Sequence, residues 1–261
     1  MKEKQDYYSH ILLTVIKKTF LKSKISPKKN TTKLWKLLKG EFLGVPYAYI
    51  TGTKEFMGIN FKVNEDVLIP RDDTEILVSK VIELIKEKTN DSIIKILDMC
   101  TGSGCIAISI AHEFKNRNIS VWATDISADA LNVAKENALA NDAKINFIQS
   151  DLFSELTNKF DIIVSNPPYI KSKVINSLQR EVKDNEPLIA LDGGEDGLDF
   201  YKRISNDAKN YLNNNGILAF EIGFDQKEEI IKILQDEGYT NIEAYTDYSG
   251  NDRVVIGTLN N

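Results

Sequence analysis

The sequence predicts an α/β fold, a doubly wound and mostly parallel sheet preceded by a small N-terminal helical domain and a hairpin linker. Three observations carry this expectation. Strand-like apolar runs alternate with amphipathic helical stretches from residue 73 onward, and a strand, a glycine turn and a helix follow one another near residue 100. The composition of the 261 residues, 42% apolar and 27% charged, is that of an ordinary globular chain able to bury a sizeable core.

From Tyr7 to Phe20 apolar residues recur at helical spacing (Ile11, Leu12, Val15, Ile16), and a second short run holds Leu34, Trp35, Leu37 and Leu38. Gly40, Gly44 and Pro46 end this helical leader, expected over 1–45. Tyr47 to Val63 reads as short extended runs around Thr51-Gly52-Thr53, a hairpin within a linker spanning 46–72. The main domain is expected over 73–261: helix 73–88, strand 93–98, helix 105–115, strand 120–124, helix 128–139 and strands 145–148 and 160–165. Helix 197–213, strand 216–221, helix 226–237 and extended runs at 242–246 and 253–258 complete it.

Charge is unevenly placed. Residues 1–40 hold eleven lysines against Glu3 and Asp6, a balance of +9, which leaves -14 on the rest of a chain whose net charge is -5. An acidic body suits a protein or small-molecule substrate, while the basic leader is either a solvated lysine face or a contact for an acidic partner or RNA. No secretory pattern opens the chain and no apolar run reaches the roughly 18 to 20 residues of a membrane helix, so a soluble, cytoplasmic protein is expected. The two cysteines, Cys100 and Cys105, lack metal-ligand spacing, and His10 and His112 are the only histidines. No metal is expected, and catalysis must come from other groups.

Strand residues Ile93 to Leu97 end in Asp98, followed by Met99, Cys100, Thr101, Gly102, Ser103, Gly104 and the helix that Cys105 opens. Glycines let the backbone approach a ligand, and the helix N-terminus offers free amide donors. The spacing Gly102-x-Gly104-x-x-Ala107 also fits a dinucleotide loop, so nicotinamide and adenosylmethionine cofactors both remain open here. Asp125 closes the next strand, where a carboxylate can accept both ribose hydroxyls; Asp151, before Leu152, stands where one can accept from an adenine amino group. Either acid is alternatively a helix cap.

The strand Phe160 to Val164 runs into Ser165-Asn166-Pro167-Pro168-Tyr169-Ile170. Two prolines stiffen the backbone between an Asn and a Tyr. The lone pair of a planar amide or amino nitrogen is delocalised, so that nitrogen must be aimed at an electrophilic methyl by hydrogen-bond acceptors. The Asn166 side-chain oxygen and the Pro167 carbonyl can each take one N–H, and Tyr169 can pack on the planar group. No strong base is needed, because the nitrogen becomes acidic once methylated. These residues point to transfer of a methyl group from S-adenosylmethionine, with S-adenosylhomocysteine as product.

With these motifs the chain resembles the release factor glutamine methyltransferases. The resemblance includes Tyr49-Ile50-Thr51-Gly52, Glu55-Phe56, Leu68-Ile69-Pro70-Arg71, Thr74-Glu75, Asp98 to Gly104 and Asn166 to Tyr169. It continues through Glu186-Pro187, Leu191 to Leu198, Glu221-Ile222-Gly223 and Asp247 to Arg253. It implies a Rossmann-like methyltransferase sheet, a leader that binds substrate, and methylation of the glutamine in the Gly-Gly-Gln loop of a peptide release factor by a cytoplasmic monomer that needs no nucleic acid. The implied cofactor residues are Cys100, Thr101, Gly102, Ser103, Gly104, Asp125 and Leu152, beside which Asp98, Asp151 and Asn166 are expected cofactor contacts from their places in the motifs; Asn166, Pro167, Pro168 and Tyr169 hold the glutamine. The chain departs from the family pattern at Cys100 (glycine expected), Asp72 (proline) and Leu152 (an aromatic). Methylation of a ribosomal protein glutamine or a nucleic-acid adenine are the alternatives. The adenine reading needs a basic groove that a body of -14 does not offer. A dehydrogenase or a non-catalytic cofactor-binding module would leave the Asn-Pro-Pro-Tyr loop idle.

Overall fold

A computed structural model describes residues 44–88 and 93–260. The expected helical leader lies outside the described residues. The chain divides into two compact units, Met1–Thr51 and Gly52–Asn261. Of the first, one short helix is described, α1 (Tyr47–Thr51), which starts where Pro46 accepts from the Tyr49 and Ile50 amides.

The second unit opens with a two-stranded antiparallel hairpin, β1 (Thr53–Phe56) and β2 (Ile59–Lys62). Its turn is Met57-Gly58, both at positive φ, and not the expected Thr51-Gly52-Thr53, because Tyr47–Thr51 closes its own helical hydrogen bonds. The Glu75 carboxylate accepts from the Met57 amide at 2.7 Å and anchors that turn to α2 (Thr74–Glu87).

The main sheet has seven strands: β3 (Ile94–Met99), β4 (Ile119–Asp125), β5 (Ile145–Gln149), β6 (Phe160–Ser165), β7 (Leu212–Glu221), β8 (Tyr239–Thr246) and β9 (Asp252–Leu259). Their order is β5-β4-β3-β6-β7-β9-β8. The first five run parallel and β9 lies antiparallel to both neighbours, so the two late extended runs form a hairpin edge on a parallel sheet. The helices between them are α3 (Cys105–Glu113), α4 (Ala128–Ala140), α5 (Ser172–Ile175), α6 (Arg180–Lys183), α7 (Asp199–Ala208) and α8 (Lys227–Asp236). Helix α7 ends at Ala208, short of the expected 213, because Leu212 already pairs with Phe160 and lengthens β7.

Strand periodicity sorts side chains onto two cores. Ile94, Ile96, Ile162, Val164, Ile217 and Ala219 pack with α2, α3 and the hairpin, while Leu97, Met99, Ile163, Leu218 and Phe220 pack with α7 and α8. Burial on both faces explains why the central strands read as continuous apolar runs. Asp98 is the buried charged residue of β3, on the face that carries α3. The order in which strands are added reverses at β3: β4 and β5 build outward on one side, and β6 returns to the other. The crevice at the carboxyl ends of β3 and β6 is therefore the switch point where open α/β sheets bind ligands.

Candidate active site

The loop after β3 is shaped from beneath. Asp98 Oδ2 accepts from the Thr101 hydroxyl at 2.5 Å and from the Ala107 amide at 3.1 Å, tying the loop to the first turn of α3. Burial pushes this carboxyl up to about 7. Gly104, at φ 81, leaves no room for a side chain, since an added Cβ would lie 2.9 Å from Ile108 Cδ1 and 3.1 Å from Ala134 Cβ. Asn137, buried on α4, accepts from the Lys62 amide at 2.7 Å and donates to the Ser103 carbonyl at 2.8 Å, so one amide joins hairpin, helix and loop. Cys100 adopts φ 60, a conformation in which a glycine would be unstrained.

At the end of β4, Asp125 accepts from the Gly102 amide at 2.9 Å and the Ser127 amide at 3.0 Å. The cap of α4 is Ser127, whose side chain accepts from Ala130, so Asp125 is not the cap residue. Burial raises the Asp125 pKa above its ordinary value, and the amides of Ser127 and Gly102 counter that rise. Asp151 caps no helix; its carboxylate meets Arg203 at 3.0 Å. Leu152 is buried at φ 49, a strained backbone for a branched side chain of the kind that collects at functional sites.

The loop after β6 is braced from outside. Ser165 donates to the Met99 carbonyl at 2.7 Å, which joins the ends of β6 and β3. The Gly193 backbone presses on the loop so closely that an added Cβ would lie 2.6 Å from Tyr169 Cα. Ile170 and Leu191 to Gly193 exchange backbone hydrogen bonds at 2.9 Å. The buried Gln226 side chain donates to the carbonyls of Tyr169 and Gly197, both at 3.1 Å, and accepts from the Gly223 amide at 2.9 Å. Asn166 Nδ2 donates to the Thr74 hydroxyl at 3.3 Å. Burial raises the Tyr169 phenol above its ordinary value, so it stays protonated.

These loops wall one open cavity of about 200 Å³. Of the expected cofactor residues, Cys100, Thr101, Gly102, Ser103, Asp125, Asp151, Leu152 and Asn166 reach its wall; Asp98 and Gly104 lie behind the loop they shape. Of the acceptor residues, Asn166 and Pro168 reach it, whereas Pro167 is buried and Tyr169 packs partly buried against the α7 and α8 core. Sequence reasoning did not single out Ile126, Ile189, Phe200 or Arg203, which also line it. Nor did it find Asn137 and Gln226, two amides whose only signal is burial. Both thiols are raised by burial, Cys105 to about 12, so neither is a nucleophile at neutral pH.

The wall fits S-adenosylmethionine. An added Cβ at Gly102 would meet no protein atom, so the loop is open toward the cavity. Asp125 offers oxygens for ribose hydroxyls, and Ile126 and Leu152 offer apolar surface for a purine.

Fold and cavity define a methyltransferase. Residues 73–195 match the family model described as methyltransferase small domain. The fold is also that of a methyltransferase from Pyrococcus furiosus, with a TM-score of 0.57 at 17% identity over 88% of this chain and 100% of the other. Among curated relatives, the release factor glutamine methyltransferase of Clostridium acetobutylicum is 48% identical over 217 residues, covering 81% of this chain and 74% of that protein. That of Bacillus cereus is 42% identical over 220 residues, covering 83% and 77%. The chain belongs to the release factor glutamine methyltransferase family, and its cofactor is S-adenosylmethionine.

Proposed function

We propose that this protein methylates the side-chain amide nitrogen of the glutamine in a Gly-Gly-Gln loop of peptide chain release factors. The observation that carries the reading is that Asn166 and Pro168 wall the same cavity as Gly102 and Asp125. In this reading a cofactor site and a planar-amide site share one space. When bound, S-adenosylmethionine supplies an electrophilic methyl on a sulfonium sulfur.

The chain's own residues do the rest by positioning. Gly102 and Asp125 hold the nucleoside end, with Leu152, Ile126 and Asp151 about the adenine. The Asn166 side-chain oxygen and the Pro167 carbonyl each accept one N–H of the glutamine amide, which directs its nitrogen lone pair out of the amide plane. Pro168 and Tyr169 keep that loop rigid. Among the residues lining the cavity there is no imidazole and no ionised thiol, and none is needed. The nitrogen is acidic after transfer and gives its proton to solvent.

Residues 73–261 form the catalytic domain in this reading, and residues 1–45 dock the release factor. The acidic body favours a protein over a nucleic acid, and we place the protein in the cytoplasm as a monomer. No described helix is long and apolar enough to cross a membrane. Incubation with labelled S-adenosylmethionine and a panel of release factor, ribosomal proteins and DNA, followed by tandem mass spectrometry, tests the reading. Methyl mass is expected on the Gly-Gly-Gln peptide. Label on DNA or a ribosomal protein, with none on that peptide, overturns it.

A further inference from the structure

One buried acid outside the cavity wall stands directly behind the acceptor loop. Ser165 on β6 pairs with Phe220 on β7, so Glu221 lies level with Asn166 at the same sheet edge. Its side chain is shut from solvent, and Oε2 has no hydrogen-bond partner. Thr74, the first residue of α2 and likewise buried, accepts from Asn166 Nδ2 at 3.3 Å. Thr74 and Asn166 lie near enough to the Glu221 carboxylate to favour its charged form.

A primary amide can be turned over with almost no change of shape, but turning it exchanges acceptor for donor. With its NH2 toward the cavity, Asn166 would present a donor to the donor group of a glutamine amide and could not hold it. A carboxylate offers acceptors only, so it can face only the NH2 half of Asn166. The Thr74 hydroxyl, having accepted from Asn166, has its proton to give to Glu221. We propose that Glu221 and Thr74 are positioning residues that fix the Asn166 amide with its nitrogen inward and its oxygen toward the acceptor glutamine. This rests on the reading of Asn166 given under Proposed function.

The orientation depends on charge. Burial raises the Glu221 pKa to about 7, against the pull of Thr74, Arg253 and Asn166. The groups facing it are Arg253 from β9, Asp73 before α2, Tyr169 after β6, Cys105 at the start of α3 and Tyr201 on α7, whose hydroxyl donates to the Glu221 carbonyl at 2.9 Å. Arg253 is shared with Asp73 at 3.3 Å and Asp247 at 3.2 Å, which limits how far it lowers the Glu221 pKa. Below about pH 7 a protonated Glu221 gains a donor and ceases to select the amide orientation.

The test compares wild type, Glu221→Gln, Thr74→Ser and Thr74→Val on full-length release factor, reading kcat at saturating cofactor from about pH 5.5 to 8.5. Glu221→Gln is expected to lower kcat about 10- to 100-fold, leave the cofactor KM within about twofold, and abolish the acidic limb near pH 7. Thr74→Ser keeps the hydroxyl and is expected to run at least about fivefold faster than Thr74→Val. A Glu221→Gln enzyme within about twofold of wild-type kcat, or one that keeps the acidic limb, overturns the proposal. So do equal rates for the two Thr74 variants, which also decide the matter if Glu221→Gln does not fold. Absence of glutamine label with the wild type would instead overturn the substrate reading, so the two failures are distinct.

Discussion

The loops after β3 and β6 leave adjacent parallel strands at one sheet edge and wall one cavity, yet they are built in opposite ways. The first is a bare backbone: Cys100, Gly102 and Gly104 all take positive φ, and shape is imposed from beneath by Asp98 and Asn137. The second is stiffened by Pro167 and Pro168 and braced from outside by Gly193 and Gln226. A loop that wraps a ligand needs backbone amides and clearance, which glycine gives. A loop that aims one side chain needs a backbone that does not move, which proline gives. Damage to the first loop should therefore appear in cofactor affinity, and damage to the second in turnover.

The largest expected effect is at Asn166. In the proposed role, Asn166→Ala removes an acceptor for the nitrogen on which charge develops, and should lower turnover about 100- to 1,000-fold, or about 3 to 4 kcal/mol, with cofactor affinity little changed. Asn166→Asp keeps an oxygen but loses the NH2 that Thr74 accepts from, so its turnover should fall as well. Single-turnover rates at saturating cofactor, beside thermal melts, decide this. A stable Asn166→Ala enzyme within about threefold of wild type would break the contrast at its acceptor end.

Asp125→Ala sharpens the contrast from the other side. The carboxylate would bind ribose, and it already accepts from Gly102 and Ser127, so its loss removes a ligand contact and loosens the loop together. Cofactor affinity by calorimetry should fall about 10- to 100-fold, from lost hydrogen bonds to a charged group at about 1.5 to 3 kcal/mol each. Turnover at saturation should fall less than the affinity does, and unchanged affinity in a folded variant would remove Asp125 from the site. Asn137→Ala should act more weakly. It leaves the Lys62 amide and the Ser103 carbonyl without a partner, costs about 1 to 3 kcal/mol of stability, and reaches the cofactor only through loop shape. Denaturant melts with and without cofactor measure both parts, and a variant as stable as wild type would show that the loop does not depend on this amide.

Much of the first loop was legible in the sequence because its requirements are local. Gly102 and Gly104 stand at fixed offsets along one strand, turn and helix, and Asp125 closes the strand that follows. Of the Asn-Pro-Pro-Tyr segment, also singled out locally, Asn166 and Pro168 lie at the cavity wall and Pro167 and Tyr169 do not line it. What the sequence hid is side chains acting across the fold. Asn137 meets Lys62 across 75 positions and Gln226 meets Tyr169 across 57, and an amide on an amphipathic helix carries no mark of such a partner. Asp98 stands differently: an acid at a strand end next to a glycine loop reads as a ligand contact, and here its side chain lies on the face of β3 that carries α3 and bonds Thr101 and Ala107. The hairpin turn was misplaced because Gly52 and Gly58 are both turn formers, and Tyr47–Thr51 had spent the first in ending a helix.

The smallest effect is expected at Asp98, and it tests whether the glycine loop needs a charge at all. The carboxyl is fully buried, Oδ2 is satisfied by Thr101 and Ala107, and Oδ1 has no partner. Burial is the main cause that lifts its pKa to about 7, and nearby Asp125 adds to it. An acid whose native pKa exceeds its unfolded value takes up a proton on folding between about pH 4 and about pH 7, so it costs stability increasingly as pH rises through that window. Asp98→Asn keeps an acceptor for Thr101 and Ala107 and removes the charge. The variant should be more stable than wild type by roughly 1 to 2 kcal/mol at about pH 8, with the advantage gone near pH 5. Glu221, raised to about 7 by the same cause, should leave part of the pH dependence in place. Asp192, Asp196 and Asp247 are lowered instead and act at more acid pH, outside this window. Urea melts of both proteins at several pH values between 5 and 8, with cofactor titrations at each, read the difference. If Asp98→Asn is less stable at pH 8 and binds cofactor far more weakly, the glycine loop requires a buried anion just as the acceptor loop is proposed to require Glu221, and backbone freedom would no longer distinguish the two.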